Sequence, residues 1–159
     1  MELPVNMLKI DVTFYPDNIG LKGPLFGFTG DVGIIVIDGA EYPKISVPQG
    51  IAMIVFTLST YTAPTIKHQP LSSAVFQTSP VQWFETAKEG GGNSGEPALE
   101  PLMFMSQRIG DQTLTLIDFN SNQSVLEFDK NHWFNLVIAY EDRTYGSDPV
   151  IVNMPPSGK

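Results

Sequence analysis

Short segments of alternating polarity, broken at regular intervals by glycine and proline, constrain the fold of this chain more than any other feature. Residues 7–15 show the pattern best, since every second position is apolar: Leu8, Ile10, Val12 and Phe14. Successive side chains of a β-strand point to opposite faces, so this segment predicts a strand with one face in the core. The turn-forming run Pro16-Asp17-Asn18 ends it.

Further strands follow from the same pattern. Residues 34–37 and 42–47 flank Asp38-Gly39, a combination that predicts a β-hairpin. Residues 51–58 are apolar on both faces up to Thr57, which predicts a central strand covered on two sides. Residues 75–84 contain a proline in the middle, so this segment predicts an edge strand or two short pieces.

The C-terminal third also favours β structure. The patterns predict strands at 113–116, 125–128, 133–140 and 150–152, separated by turn-forming residues. Residues 118–122 and 129–131 are predicted turns, and residues 141–144 are a predicted loop.

Residues 101–110 fit two interpretations. Pro101 near the start, Gly110 at the end and the helical spacing of Leu102, Met105 and Ile109 favour a helix. Leu102 and Phe104 would equally share one face of a strand. Both alternatives stay open at the level of sequence.

About nine or ten short strands with frequent turn signals predict an all-β fold, either an antiparallel β-sandwich or a jelly roll, with at most one or two short helices. The length fits one domain over residues 1–159, because domains typically run to roughly 100–200 residues. Residues 89–100, which include a glycine run between acidic residues, predict a flexible loop. The tail from residue 155 is predicted to be disordered.

The charge of the chain limits its partners. The formal net charge is -8, and the nine Lys and Arg residues are scattered along the sequence. Nucleic acids and anionic membranes require clustered positive charge, so we expect neither as a partner. The N-terminus lacks the features of a signal peptide, and the apolar run 51–56 is too short for a membrane helix, so we expect a cytoplasmic protein.

Catalytic chemistry has few candidate residues. The chain has no cysteine and no Gly-x-Ser-x-Gly motif, and its two histidines are His68 and His132. Nucleophilic catalysis requires a base beside the nucleophile, most often histidine. We interpret both histidines as exposed turn residues and expect a protein that is not an enzyme.

Metal ligands are equally scarce. Zinc sites use closely spaced Cys and His, which this sequence lacks. Asp118-x-Asn120-x-Asn122 is similar to the start of a calcium loop, but Gln123 stands where that loop needs glycine. We therefore expect no metal and no cofactor.

Two pairs of adjacent aromatic residues are candidate contacts for a ligand. Trp83-Phe84 and Trp133-Phe134 lie in predicted strands, where alternation places one ring of each pair in the core and exposes the other. Flat exposed rings bind sugar faces, whereas buried rings only fill the core. The candidate contact residues for a ligand or partner are Trp83, Phe84, Trp133 and the neighbouring His132.

The C-terminal segment Tyr140-x-x-x-x-Tyr145-x-Ser147-Asp148-Pro149-x-Ile151-x-Asn153 resembles the end of the AidA/PixA family of bacterial inclusion-body proteins. The resemblance covers this segment alone. It implies a small, cytoplasmic, non-enzymatic protein that assembles or accumulates, and it assigns no catalytic residues.

These observations together favour a non-catalytic β-sandwich protein that acts by self-association or binding. Strands 51–58 and 133–140 offer more apolar surface than one core face needs, and few charges interrupt it, so we expect a homo-oligomer. The alternatives are a lectin-like module that binds carbohydrate and a small hydrolase whose site is not visible in the sequence. The candidate partners besides a second copy are a carbohydrate or another protein.

Overall fold

The computed structural model of the protein describes residues 5–30, 35–38, 42–47, 51–62, 72–84, 97–98, 104–119, 131–147 and 149–153. These residues form β-strands and one short 3-10 turn at Pro16–Asn18, without an α-helix, so the all-β prediction is confirmed. The strands are β1 (Val5–Phe14), β2 (Phe26–Gly30), β3 (Ile35–Asp38), β4 (Tyr42–Val47), β5 (Ile51–Thr60), β6 (Val75–Phe84), β7 (Pro97–Ala98), β8 (Phe104–Gly110), β9 (Thr113–Phe119), β10 (Asn131–Tyr140), β11 (Arg143–Ser147) and β12 (Val150–Asn153).

One layer is a five-stranded sheet with the order β2-β1-β5-β9-β8. The apolar strand predicted at 51–58 is β5, which lies in the centre of this sheet, as expected. The predicted cover on two sides is wrong for the single copy, because Met53 and Val55 are half-buried and Thr57 is exposed. It pairs antiparallel with β9 but parallel with β1. The strands of the fold are thus mostly antiparallel, with two parallel pairs that the sequence did not predict, since alternation reports the face of a residue but not the direction of the neighbouring strand.

The second layer is a seven-stranded sheet with the order β3-β4-β12-β10-β6-β7, and β11 also pairs with β10. The predicted hairpin around Asp38 is present, since β3 and β4 are antiparallel and Asp38 pairs with Tyr42. The second parallel pair, β4 with β12, joins this hairpin to the rest of the sheet.

Strands β11 and β12 continue each other along β10. Leu136 pairs with Ser147 and Trp133 pairs with Val150, so both strands share one register. Between them the carbonyl of Pro149 accepts a hydrogen bond of 3.3 Å from the amide of Phe134. The loop predicted at 141–144 is wrong in its second half, because β11 begins at Arg143.

Strand β6 spans the proline that was expected to interrupt it. Its register against β10 shifts, since Leu136 pairs with Val81 whereas Ile138 pairs with Phe76. The extra residues of β6 bulge out around Pro80, whose missing N–H cannot join the ladder. The interruption is therefore a bulge within a single strand.

The segment left open between helix and strand is a strand. Residues 104–110 form β8 at the edge of the five-stranded sheet, so the helix alternative is wrong for them. Phe104 is buried and Met105 is exposed, so these neighbours lie on opposite faces of the strand. Within the predicted flexible loop at 89–100, Pro97–Ala98 pair with β6 as β7. The rest of that loop, residues 101–103 and the tail from 155 lie outside the described residues.

The core lies between the two sheets. Facing aromatic rings contact across it: Phe56 of β5 and Phe134 of β10 have ring centroids 6.5 Å apart, in an edge-to-face arrangement. Each buried side chain of this size contributes about 1.5–3 kcal/mol to stability. The predicted apolar face of residues 7–15 belongs to this core, since Leu8, Ile10, Val12 and Phe14 are all buried.

A hydrogen-bonded corner joins the two sheets at the turn between β8 and β9. The carbonyl of Asp111 accepts a hydrogen bond of 2.7 Å from the amide of Phe76, the second residue of β6. Nε of Arg108 donates to the carbonyl of Phe76 at 3.1 Å, and its guanidinium contacts the carboxylate of Asp111 at 2.7 Å. These polar contacts hold the edge of one sheet against the other.

Candidate functional site

The outer face of the five-stranded sheet carries an apolar row that crosses four strands. The register pairs Met7 with Met53 and Met53 with Ile117. Ile117 pairs in turn with Met105 of edge strand β8. Met7 and Met105 are 55% and 57% exposed, and Met53 and Ile117 are half-buried. These four residues are called the methionine row below.

Strand alternation determines on which face of the sheet the methionine row lies. Each member is the chain neighbour of a buried core residue: Leu8, Ile54, Leu116 and Phe104. Neighbouring side chains of a strand point to opposite faces, so the methionine row projects away from the core. The interior is filled without it.

Polarity changes along this outer face. The row next to the methionine row contains Lys9, Val55, Thr115 and Gln107. Two residues further along the strands, Asp11 pairs with Thr57, and Thr57 pairs with Thr113. The hydroxyls of Thr13 and Ser59 then lie 3.5 Å apart. One end of the face is apolar, and the other end is rich in hydroxyl groups.

Charge is sparse on the same face. Among its described outward positions, Lys9 and Asp11 are the charged residues, and both lie on β1. The chain as a whole has a formal net charge of -8. The methionine row is therefore an uncharged region on a protein with a net negative charge, and it is a region where two copies would not repel each other.

Trp83, a candidate ligand contact, belongs to the core. It is 6% exposed, and its ring stacks on Phe104 with centroids 4.7 Å apart. It also contacts the ring of Phe134 at 5.2 Å. The core interpretation thus describes the placement of Trp83, and an exposed sugar platform does not.

His132 lies beside the same aromatic cluster. Its ring meets Phe104 edge-on at 5.1 Å, and the residue is 7% exposed. The interpretation of His132 as an exposed turn residue is wrong, because its position in β10 shares the inward face with Phe134. His68 lies outside the described residues.

The remaining two candidates, Phe84 and Trp133, are direct cross-strand partners in the register of β6 and β10. Both positions alternate with buried ones, Trp83 and His132, so they belong to the face of the sheet opposite the core. Their side chains are not among the described parts of the chain. Their role as ligand contacts stays a prediction.

Asp118 is not in a turn. It lies in β9 and is fully buried, whereas the sequence placed it at the start of a turn with calcium-like spacing. Asn120 and Asn122, the other members of that pattern, lie outside the described residues. Within the described ranges no cluster of three or more metal-ligating side chains is found.

The opposite end of the core is lined by tyrosines. The ring of Phe14 contacts those of Tyr140 and Tyr145 at 5.3 and 5.2 Å. Burial raises the pKa of Tyr140 above 10.0, and the negative charges of Glu141 and Asp17 and the nearby Tyr145 raise it further. The proton of the Tyr140 hydroxyl is therefore harder to remove than that of a solvated tyrosine.

Comparison with known proteins adds no family. No protein-family model matches the chain, and no curated protein matches it. The resemblance of the C-terminal segment to the AidA/PixA family therefore stays a prediction. The fold itself defines the class, which is an all-β sandwich. None of the described residues forms a helix that could span a lipid bilayer.

Proposed function

We propose that the protein is non-catalytic and acts by self-association, with the outer face of its five-stranded sheet packed against the same face of a second copy. The methionine row carries the proposal. Folded monomers rarely leave a contiguous apolar patch exposed on a sheet, and methionine adapts well to the irregular surface of a partner.

The row is self-complementary. A two-fold axis parallel to the strands, between β5 and β9, places Met7 against Met105 of the second copy and Met53 against Ile117 of the second copy. The same axis places Lys9 against Gln107 and Asp11 against Gly110, following the register of the sheet. No like charges meet, and the apolar end of one copy covers the apolar end of the other.

The size of the face indicates which class of interface two copies would form. With ordinary strand spacings, the four strands that overlap about the two-fold axis, β1, β5, β9 and β8, cover a width of about 19 Å, and the face measures about 26 Å along β1. Two copies would bury about 1,000 Å² in total, which is at the lower limit of specific interfaces. The association is therefore reversible and depends on protein concentration.

Sedimentation velocity over a range of protein concentrations tests the proposal. Met105→Lys places a charge in the apolar contact and should raise the dissociation constant at least tenfold, or about 1.4 kcal/mol. Thr144→Lys adds the same charge on exposed strand β11 of the other sheet and should change it less than about twofold. A wild-type protein that stays monomeric at all concentrations, or equal effects of the two variants, would overturn the proposal.

Carbohydrate binding is the second candidate, and a different observation favours it. Gln82 and Asn135 pair in the row next to Phe84 and Trp133 on the seven-stranded sheet. The side chain of Gln82 is exposed. Aromatic residues beside exposed amide groups are typical of sugar-binding surfaces. A glycan array with wild-type protein and Trp133→Ala tests this candidate, and no binding by the wild type would exclude it.

A further inference from the structure

The methionine row contains a large share of the oxidisable atoms of the chain. It includes three of the six methionines, and the chain has no cysteine, so thioethers are its only sulfur groups. Met7 and Met105 have more than half of their surface exposed in the single copy. No thiol of the chain competes with them for an oxidant.

Oxidation would reverse the character of this surface. Hydrogen peroxide transfers one oxygen atom to the thioether sulfur, which yields methionine sulfoxide and water. The sulfoxide is polar and carries a strong hydrogen-bond acceptor, so an oxidised side chain is costly to bury against apolar groups. Two thiols of a reducing partner restore the thioether and form a disulfide and water.

We propose that Met7 and Met105 are a reversible oxidation site that controls the self-association of this protein by peroxide. The inference rests on the proposed function, because it requires that a second copy covers the methionine row. In the two-fold arrangement each Met7 meets a Met105 of the second copy. Each interface therefore contains two such contacts, and oxidation at either position disrupts one.

Oxidation and association exclude each other by linkage. If sulfoxides weaken association, association makes oxidation of the same thioethers less favourable by the same free energy. The second copy also covers these thioethers and so slows the approach of peroxide. Half-buried Met53 is less accessible than Met7 and Met105 in the single copy. Within the methionine row, we therefore expect oxidation to begin with the two exposed positions and to slow as protein concentration rises.

Peroxide treatment of the full chain, followed by peptide mass spectrometry and sedimentation velocity, tests the inference. Oxidation of Met7 and Met105 should raise the dissociation constant at least tenfold while the circular dichroism spectrum stays unchanged. A methionine sulfoxide reductase with a thiol reductant should restore the original constant. Dilution into the monomeric range should increase the oxidation rate of both residues severalfold.

Two double variants separate the switch from the association itself. Met7→Leu with Met105→Leu keeps the apolar surface, so this variant should associate as the wild type does and resist peroxide. Met7→Gln with Met105→Gln imitates the polarity of the sulfoxide and should dissociate without peroxide. Both variants change only exposed side chains, so both should fold.

The outcomes distinguish the two proposals. A wild-type protein that is monomeric at all concentrations overturns the proposed function and the switch together. A wild-type protein that associates equally well before and after oxidation of both residues overturns only the switch. The same conclusion follows if the double leucine variant dissociates in peroxide as readily as the wild type.

Discussion

The two faces of the five-stranded sheet differ in how deeply their side chains are buried. On the inner face of β5, Ile54 and Phe56 are completely buried, whereas on the outer face Met53 and Val55 are half-buried and Thr57 is exposed. Folding alone explains the inner face, because its side chains fill the space between the sheets. The outer face of such a sheet can be polar throughout, so folding alone does not account for its apolar end, which is the basis of the proposed contact with a second copy.

Substitutions at two adjacent positions of β5 test the difference between the inner and outer faces most directly. Phe56→Ala should lower the free energy of unfolding by about 3–5 kcal/mol, because it leaves a cavity next to Phe134. Val55→Ala, one residue away on the outer face, should cost about 1 kcal/mol or less. Urea unfolding midpoints measure both values under dilute, monomeric conditions. Similar losses would mean that the outer face is as deeply packed as the core.

Substitutions at the hydrogen-bonded corner test how much its polar contacts contribute to stability, since they hold edge strand β8 against the other sheet. Arg108→Gln removes the donor to the carbonyl of Phe76 and the contact with Asp111, and it should cost about 1–2 kcal/mol. Asp111→Asn removes only the exposed ion pair and should cost about 0.5 kcal/mol or less. Thermal unfolding of the two variants provides the test, and a larger loss for Asp111→Asn would contradict it.

The smallest effect concerns pH. Burial raises the pKa of Tyr140 in the folded protein, so above the ordinary value of 10.0 the unfolded chain loses this proton more readily. Stability should therefore decrease as the pH rises above that value, and it should be unaffected by this residue at neutral pH. Tyr140→Phe should weaken the alkaline dependence of the urea midpoint. An unchanged dependence in the variant would exclude Tyr140 as its source.

Much of the fold could be predicted from the sequence because its signals are local. The alternation in β1, the apolar run of β5 and the turn residues beside Asp38 each report on a few neighbouring residues. Partner choice is not local. The parallel pairing of β1 with β5 and the continuation of β11 by β12 depend on packing between distant segments, which periodicity does not record.

The candidate site was harder to predict for the same reason. Met7, Met53 and Met105 lie far apart in the sequence, and each alone looks like an ordinary apolar residue. Only the strand register places them in one row. The sequence does contain one signal, because each of these methionines is the chain neighbour of a residue predicted to face the core. This signal places each methionine on an outer face, but it places them in one row only when the order of the strands is known.

In the connection between β11 and β12, which contains Pro149, the number of residues is as important as their identity. Since Ser147 and Val150 keep the same register against β10, the two residues between them hold β12 in phase. Insertion of one residue would rotate every side chain of β12 to the opposite face and carry buried Ile151 into solvent. The number of residues between Ser147 and Val150 therefore determines which side chains of β12 face the core. This connection tolerates substitutions that keep that number, and it does not tolerate an insertion or a deletion.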